Sequence, residues 1–248
     1  MSGIRVTVAR TAGSAPREAG AQMMVWPDRT AGTIGGGALE WAAMSHARAM
    51  LSDGRGAARR TFPLGPALGQ CCGGSVTLEF TAAEAAEETP RSPLWLYGAG
   101  HVGRAIASVM APLPDWAITW IDTAPDRFPD CIPEGVTPLV AADPVRVVPR
   151  APAGAHHLIL TYSHEIDLAL CHAILSRDFA ACGLIGSATK WARFRARLQA
   201  LGHPPARIAR IACPIGDPTL GKHPQALAIG VAAAMLGAGT EQVRGQAG

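Results

Sequence analysis

Apolar and polar positions alternate along the first dozen residues. In "IRVTVARTAG" Ile4, Val6 and Val8 are separated by Arg5 and Thr7, the period of a strand with one buried face. "AQMMVWP" reads as a second strand, and "DRTAGTIGGG" as a turn running into glycines. The pattern then changes period. In "ALEWAAMSHARAML", Leu39, Ala42, Ala43, His46 and Met50 fall near one side of a helix. "ARRTFPL" and "SVTLEF" return to short strands. This part of the chain predicts a small α/β layer with mixed or antiparallel strands.

The second part alternates by element. "PLWLYG", "WAITWID", "VTPLVA", "HHLILTY" and "AACGLIG" read as strands, and "HVGRAIASVMA", "EIDLALCHAILSR" and "ATKWARFRARLQAL" as helices. Such alternation predicts a Rossmann-like, doubly wound parallel sheet with right-handed crossovers. Between the parts, Ala82 to Pro93, "AAEAAEETPRSP", is acidic and then broken by prolines, a composition typical of a boundary. The division expected is residues 1–88 and 93–248. The overall class is α/β.

Composition narrows the picture. The 248 residues are 48% apolar and 17% charged, which is globular rather than disordered. A net charge of +3 is too small to argue for nucleic acid. "MSGIRVTVARTAG" lacks an apolar signal core, and the longest apolar run, "ALAIGVAAAMLGAG", falls short of a membrane span of about 20 residues. That run is expected to be a buried packing helix. Six cysteines are few for this length and are not spaced as a disulfide framework, which favours a reduced, cytoplasmic setting.

Two glycine runs carry candidate chemistry. Gly98, Gly100 and Gly103 in "LWLYGAGHVGRAI" have the G-x-G-x-x-G spacing, follow a strand and open a helix, the context in which backbone amides meet a phosphate-bearing ligand. Asp122 ends the next strand, near the distance expected of a ribose-binding acid. Gly35, Gly36 and Gly37 also precede a helix, and their amides suit either an anion or a plain turn. "LGQCCGGSVTLEF" sets Cys71 and Cys72 beside Gly73 and Gly74, where a ligand can come close to a thiol. Zinc would require further Cys or His at short spacing, and no CxxC occurs. Cys171 and Cys182 read as core residues, and His156 and His157 as a solvated pair ahead of a strand. Ser163 with His164, and Ser187 with Lys190, fall at carboxyl ends of parallel strands, where ligand crevices form, and His101 lies within the glycine loop. Helix capping is the alternative for Ser163. Lys190 sits in a first helical turn, against the helix dipole, which a role at the crevice would explain.

"SAPREAGAQMMV", "GTIGGGALE", "LGQCCGG", "LYGAGHVG", "TYSHEIDLALC", "GLIGSATKWARF" and "PIGDPTLGKHPQALAI" occur in this order, and the set resembles the XdhC family, related to the CoxI proteins. The resemblance implies a small N-terminal domain and a Rossmann-like C-terminal one. It implies an accessory protein, not an enzyme, that binds the molybdenum cofactor (molybdopterin), protects it, assists its sulfuration with a cysteine desulfurase and delivers it to xanthine dehydrogenase. Cys72, with Cys71 beside it, is then the residue expected to meet molybdenum, and a homodimer is the expected assembly. Relatives carry His where this chain has Tyr162, and a helix ahead of the first strand, which here begins almost at Met1. Two other functions compete on the residues alone. An NAD(P)-dependent oxidoreductase would use Gly98, Gly100, Gly103 and Asp122 but leave "CCGG" idle. A metal-sensing module would use Cys and His.

Overall fold

A computed structural model describes residues 2–64, 74–83 and 91–245. The chain forms two compact units, Met1–Glu88 and Thr89–Gly248. In the first, β1 (Gly3–Ala12), β2 (Gln22–Val25), β3 (Thr30–Gly32), β4 (Ala57–Pro63) and β5 (Ser75–Ala83) form one antiparallel sheet in the order β3-β2-β1-β5-β4. Ile4, Val6 and Val8 of β1 and Val76, Leu78 and Phe80 of β5 point to one face. There they meet Leu39, Ala43, Ala47 and Met50 of α1 (Gly37–Ser52). A period of two packed on a period near 3.6 closes this core. The helix stripe is turned slightly from the expected one, with Ala47 fully buried while His46 lies at its margin, edge-on to Phe80 at 4.7 Å. Strand β3, expected as turn, is an edge strand of three exposed residues, so no apolar alternation marks it.

The second unit contains β6 (Ser92–Tyr97), α2 (His101–Met110), β7 (Trp116–Asp122), β8 (Val136–Val140), β9 (His156–Ile159), α3 (His164–Leu175), β10 (Ala181–Leu184), α4 (Ala188–Ala200), α5 (Pro205–Ile208), β11 (Ile211–Ala212) and α6 (Pro224–Gly245). Its six strands are all parallel, in the order β11-β10-β9-β6-β7-β8. The order reverses between β6 and β9, and the crevice above their carboxyl ends is where a doubly wound sheet binds ligands. Both faces are covered. Leu94 and Leu96 of β6 pack with α2 and α6 on one side, while Trp95 and Tyr97 pack with α3 and α4 on the other. This explains why β6 reads as an unbroken apolar run.

Two expectations are corrected here. His156 and His157 belong to β9 itself, and His157 is buried. Its Nδ1 lies 3.3 Å from the Tyr97 hydroxyl, and its ring stacks on Tyr97. Burial, reinforced by neighbouring His156 and Arg177, pushes its pKa down to about 4. Among its described side chains, the C-terminal helix α6 buries Ala228, Val231 and Ala232, while Ile229 and Leu236 are exposed. Small residues let it pack closely on α2 without enclosing it. Among the described residues no helix is long and apolar enough to cross a membrane.

Candidate functional site

The site is built around the turn from β6 into α2. Gly98 has φ +114°, and a Cβ there would collide with the Leu160 carbonyl across the reversal point. A Cβ at Gly103 would collide with the Gly98 carbonyl oxygen. That oxygen also accepts a hydrogen bond from Trp120 Nε1 at 3.0 Å. Both glycines are therefore demanded by the fold. Gly100 is not. Its backbone is extended, at φ −72°, and a Cβ there would meet no atom within 4 Å. Gly100 is the N-cap of α2 and provides no side-chain cap, so no cap side chain engages the first amides of this helix, where the positive end of the helix dipole lies. His101 is exposed at the first helical position.

Asp122 does not face that space. Its Oδ2 accepts from Ala99 N at 2.6 Å, and its Oδ1 accepts from Thr123 N at 2.6 Å, Thr123 Oγ1 at 3.2 Å and Arg127 Nε at 3.0 Å. The expected ribose-binding role is corrected: a 5% exposed carboxylate, so engaged, braces the glycine loop from beneath. Arg104 adds to the brace, donating from Nε to Ala99 O at 2.9 Å and from Nη2 to Arg127 O at 2.8 Å.

One and two strands away, the other candidates are brought together by a residue the sequence reading missed. Asp167 is fully buried, and its Oδ2 lies 2.6 Å from Lys190 Nζ. Its Oδ1 accepts from Thr161 N at 3.1 Å and Thr161 Oγ1 at 2.6 Å, and Lys190 Nζ also donates to Ile185 O at 2.9 Å. The ion pair ties the loop after β9 to the loop after β10, which accounts for a lysine in a first helical turn. A signal was present. Asp167, Leu170, Cys171 and Ile174 share one helical face, so a carboxylate on that face had to find a buried partner. Ser163 and Ser187 are helix caps. Ser163 Oγ accepts from Glu165 N at 3.2 Å and Ser187 Oγ from Lys190 N at 3.2 Å. His164 lies beside them, edge-on to Phe194, at a cleft of about 520 Å³ with Ser187, Lys190 and Arg193.

In the first unit, the Gly35–Gly37 turn already holds an anion. The Glu40 carboxylate accepts from Ile34 N at 2.9 Å and from the Thr33 hydroxyl. Partial burial pushes this carboxyl up, but hydrogen bonds from Thr33, Gly36, Ile34 and Gly35 outweigh it and lower its pKa from 4.5. Of the two readings open for this turn, an anion site or a plain turn, the structure shows an anion site already filled by the chain's own carboxylate. A Cβ at Gly35 would press on Pro16, and one at Gly74 on the Ala12 and Ser14 carbonyls. Gly35 and Gly74 thus both lie against the Ala12–Pro16 stretch that leaves β1. Cys71, Cys72 and Gly73 themselves lie outside the described residues.

Of the described cysteines, Cys131 is exposed and the other three have raised thiols. Cys171 and Cys182 are core residues, as expected, and burial raises both thiols, Cys182 to about 12. Cys213 is half-buried, and burial raises it too, despite nearby Lys190. No group of three or more metal-ligating side chains gathers among the described residues.

Comparison with known proteins adds the lineage. Residues 94–235 match the family model described as the XdhC Rossmann domain, and residues 2–63 match the XdhC and CoxI family. An uncharacterized protein of Escherichia coli K12, YqeB, is 30% identical over 233 residues, which is 90% of this chain and 41% of that protein. The chain thus spans about two fifths of that relative's length. A solved structure from Bacillus halodurans, described as a xanthine dehydrogenase, superposes with a TM-score of 0.76 over 95% of this chain and 91% of its own. At 16% identity it shares the fold.

Proposed function

Because the chain belongs to the XdhC family, we propose that it is an accessory protein of xanthine dehydrogenase maturation. In this reading it binds the molybdenum cofactor, shields it, assists its sulfuration with a cysteine desulfurase and delivers it, and is not itself an enzyme. The observation that carries the reading is Gly100. The fold has no use for a glycine there, while the uncapped start of α2 beside it suits the phosphate of a pterin. The Gly35–Gly37 turn is a poorer place for that phosphate, since Glu40 fills it. The group would bring a molybdenum–dithiolene end, whose chemistry suits a soft thiolate, and the family resemblance gives that role to Cys72, with Cys71 beside it. The NAD(P) reading is disfavoured by Asp122, whose carboxylate is already engaged by four donors.

The test is to load the purified chain with released molybdenum cofactor and assay molybdenum and oxidised-pterin fluorescence, with Gly100→Val alongside. A branched side chain there displaces an anion from two or more backbone donors, each charge-assisted bond worth about 1.5–3 kcal/mol, so affinity is expected to fall about a hundredfold or more. Docking to xanthine dehydrogenase should survive the change. Cys72→Ala should lower molybdenum retention more than Cys131→Ala or Cys213→Ala. Unchanged pterin affinity in folded Gly100→Val would remove the phosphate site from this loop. Stoichiometric NADH binding with hydride transfer would replace the reading by an oxidoreductase.

A further inference from the structure

Above the glycine loop, one side chain reaches across the sheet's reversal point. Arg127 follows β7, and its Nε holds Asp122 Oδ1 at 3.0 Å. Its guanidinium carbon lies 3.8 Å from the ring centroid of Tyr162, which follows β9. Strand β6, with Gly98 and Ala99 at its carboxyl end, lies between β7 and β9. The Arg127–Tyr162 pair therefore bridges the segments that follow β7 and β9, on either side of β6 and its glycine loop.

The two partners are held very differently. Arg127 is fixed at both ends. Its side chain is tied to Asp122, and its carbonyl accepts from Arg104 Nη2 at 2.8 Å. Tyr162 is fixed only in its backbone. Thr161 before it is bound to Asp167, and Ser163 after it caps α3. Tyr162 is 64% exposed, with the Arg127 guanidinium against its ring. An exposed cation–π contact is weak and opens readily. A flat conjugated ring entering between them would gain two stacking faces in exchange for that one contact.

We propose that Arg127 and Tyr162 form a clamp for a phosphate-bearing, flat heterocycle, with Arg127 as the fixed jaw and Tyr162 as the moving one. The ring sits between the jaws and the phosphate lies on the first amides of α2. The inference rests on the phosphate site proposed above and adds the residues that read the ring. A pterin phosphate and a purine nucleotide share this chemistry. The clamp's contribution separates from the phosphate's because a ringless phosphate uses only the amides.

The experiment measures binding of a pterin monophosphate, AMP and glycerol phosphate to the full chain and to Tyr162→Ala, Tyr162→Phe and Gly100→Val. Tyr162 is exposed, so both of its variants should fold, which circular dichroism checks. Stacking of a heterocycle on an aromatic ring is worth about 1–3 kcal/mol, so Tyr162→Ala should weaken the pterin phosphate about tenfold and leave glycerol phosphate unchanged. Tyr162→Phe, which keeps the ring, should stay within about twofold of the native chain. Gly100→Val should weaken all ligands that bind. Pterin phosphate affinity that falls in Gly100→Val but not in Tyr162→Ala overturns the clamp and leaves the phosphate site standing. If the pterin phosphate does not bind the native chain, the function proposed above fails. AMP then decides the clamp alone: binding that drops about tenfold in Tyr162→Ala supports it, and no binding, or binding indifferent to Tyr162, overturns it.

Discussion

The Gly35–Gly37 turn and the Gly98–Gly103 loop both bring the chain into a helix through glycine, yet their amides end in different company. Residue by residue from the N-cap, Gly36-Gly37-Ala38-Leu39-Glu40 stands against Gly100-His101-Val102-Gly103-Arg104. At the fourth helical position the first has a carboxylate and the second a guanidinium. Glu40 folds back onto the amides before its own helix and fills them. Arg104 turns instead to carbonyls, Ala99 O and Arg127 O, and leaves the start of α2 uncapped. A glycine run is thus only half of an anion site. The nearest side chain of either sign decides whether the site is already occupied.

The sharpest break of that comparison lies inside the second loop. Gly103→Ala drives a Cβ into the Gly98 carbonyl, which is backbone and cannot turn aside. It should cost about 3 kcal/mol or more in urea unfolding, at the upper end for an overpacked site. Gly100→Ala enters open space and should change stability by no more than about 0.5 kcal/mol. Equal costs for the two would mean that Gly100 is a packing glycine like its neighbours, and the argument for a ligand there would lose its footing.

A second difference between the units appears on acidification. His157 titrates near 6.5 when unfolded and near 4 in the sheet, where burial disfavours the charged ring. Between these values the unfolded chain binds the extra proton, so the second unit should lose stability as the pH falls from 6.5 to 4. The loss should reach about 3 kcal/mol at the lower end. The first unit has no such buried imidazole, since His46 sits at the margin of its core. Unfolding followed by segment-resolved hydrogen exchange should show β6 and β9 weakening before β1 and β5, and His157→Leu should flatten the slope. A native slope unchanged by His157→Leu would assign the acid sensitivity elsewhere.

The architecture was largely legible because its long elements bury one face each and their periods say so. What escaped had no such face. Strand β3 is exposed at all three positions, and β11 is two residues long. The 3-10 turn at Pro125–Arg127, which presents the arginine that grips Asp122, has no buried residue. Local chemistry made Gly98 and Gly103 legible as turn and packing glycines and left capping open for Ser163, while Ser187, expected at a crevice, caps α4. Asp122 was placed at the right strand end but given the wrong task, because spacing locates a carboxylate without saying which donors reach it first. His157 was misplaced because a histidine pair looks polar in sequence. Its burial depends on Tyr97, sixty residues earlier, offering a hydroxyl and a ring face. Tyr162 stood out only as a departure from the family's His, and Arg127 not at all, since only the order of the strands makes them neighbours.

The smallest expected effect tests the filled turn. Glu40 is partly exposed, and solvent screens its hydrogen bonds, so Glu40→Gln should cost the first unit only about 1 kcal/mol at neutral pH. Its lowered pKa fixes the sign: the contribution is present above about 4.5 and is lost as the pH falls through the folded value, where variant and native chain should converge. The same carboxylate keeps other anions out. With Glu40→Ala the Ile34 amide and the Thr33 hydroxyl lose their occupant, and inorganic phosphate becomes a candidate to replace it. Phosphate should then stabilise the first unit of the variant more than that of the native chain, a difference of a few tenths of a kcal/mol at ligand concentrations near the dissociation constant. If the native first unit gains as much from phosphate as the variant does, Glu40 is not the occupant that matters. The two glycine runs would then be equivalent sites after all, and a pterin phosphate could not be assigned to Gly100 by exclusion.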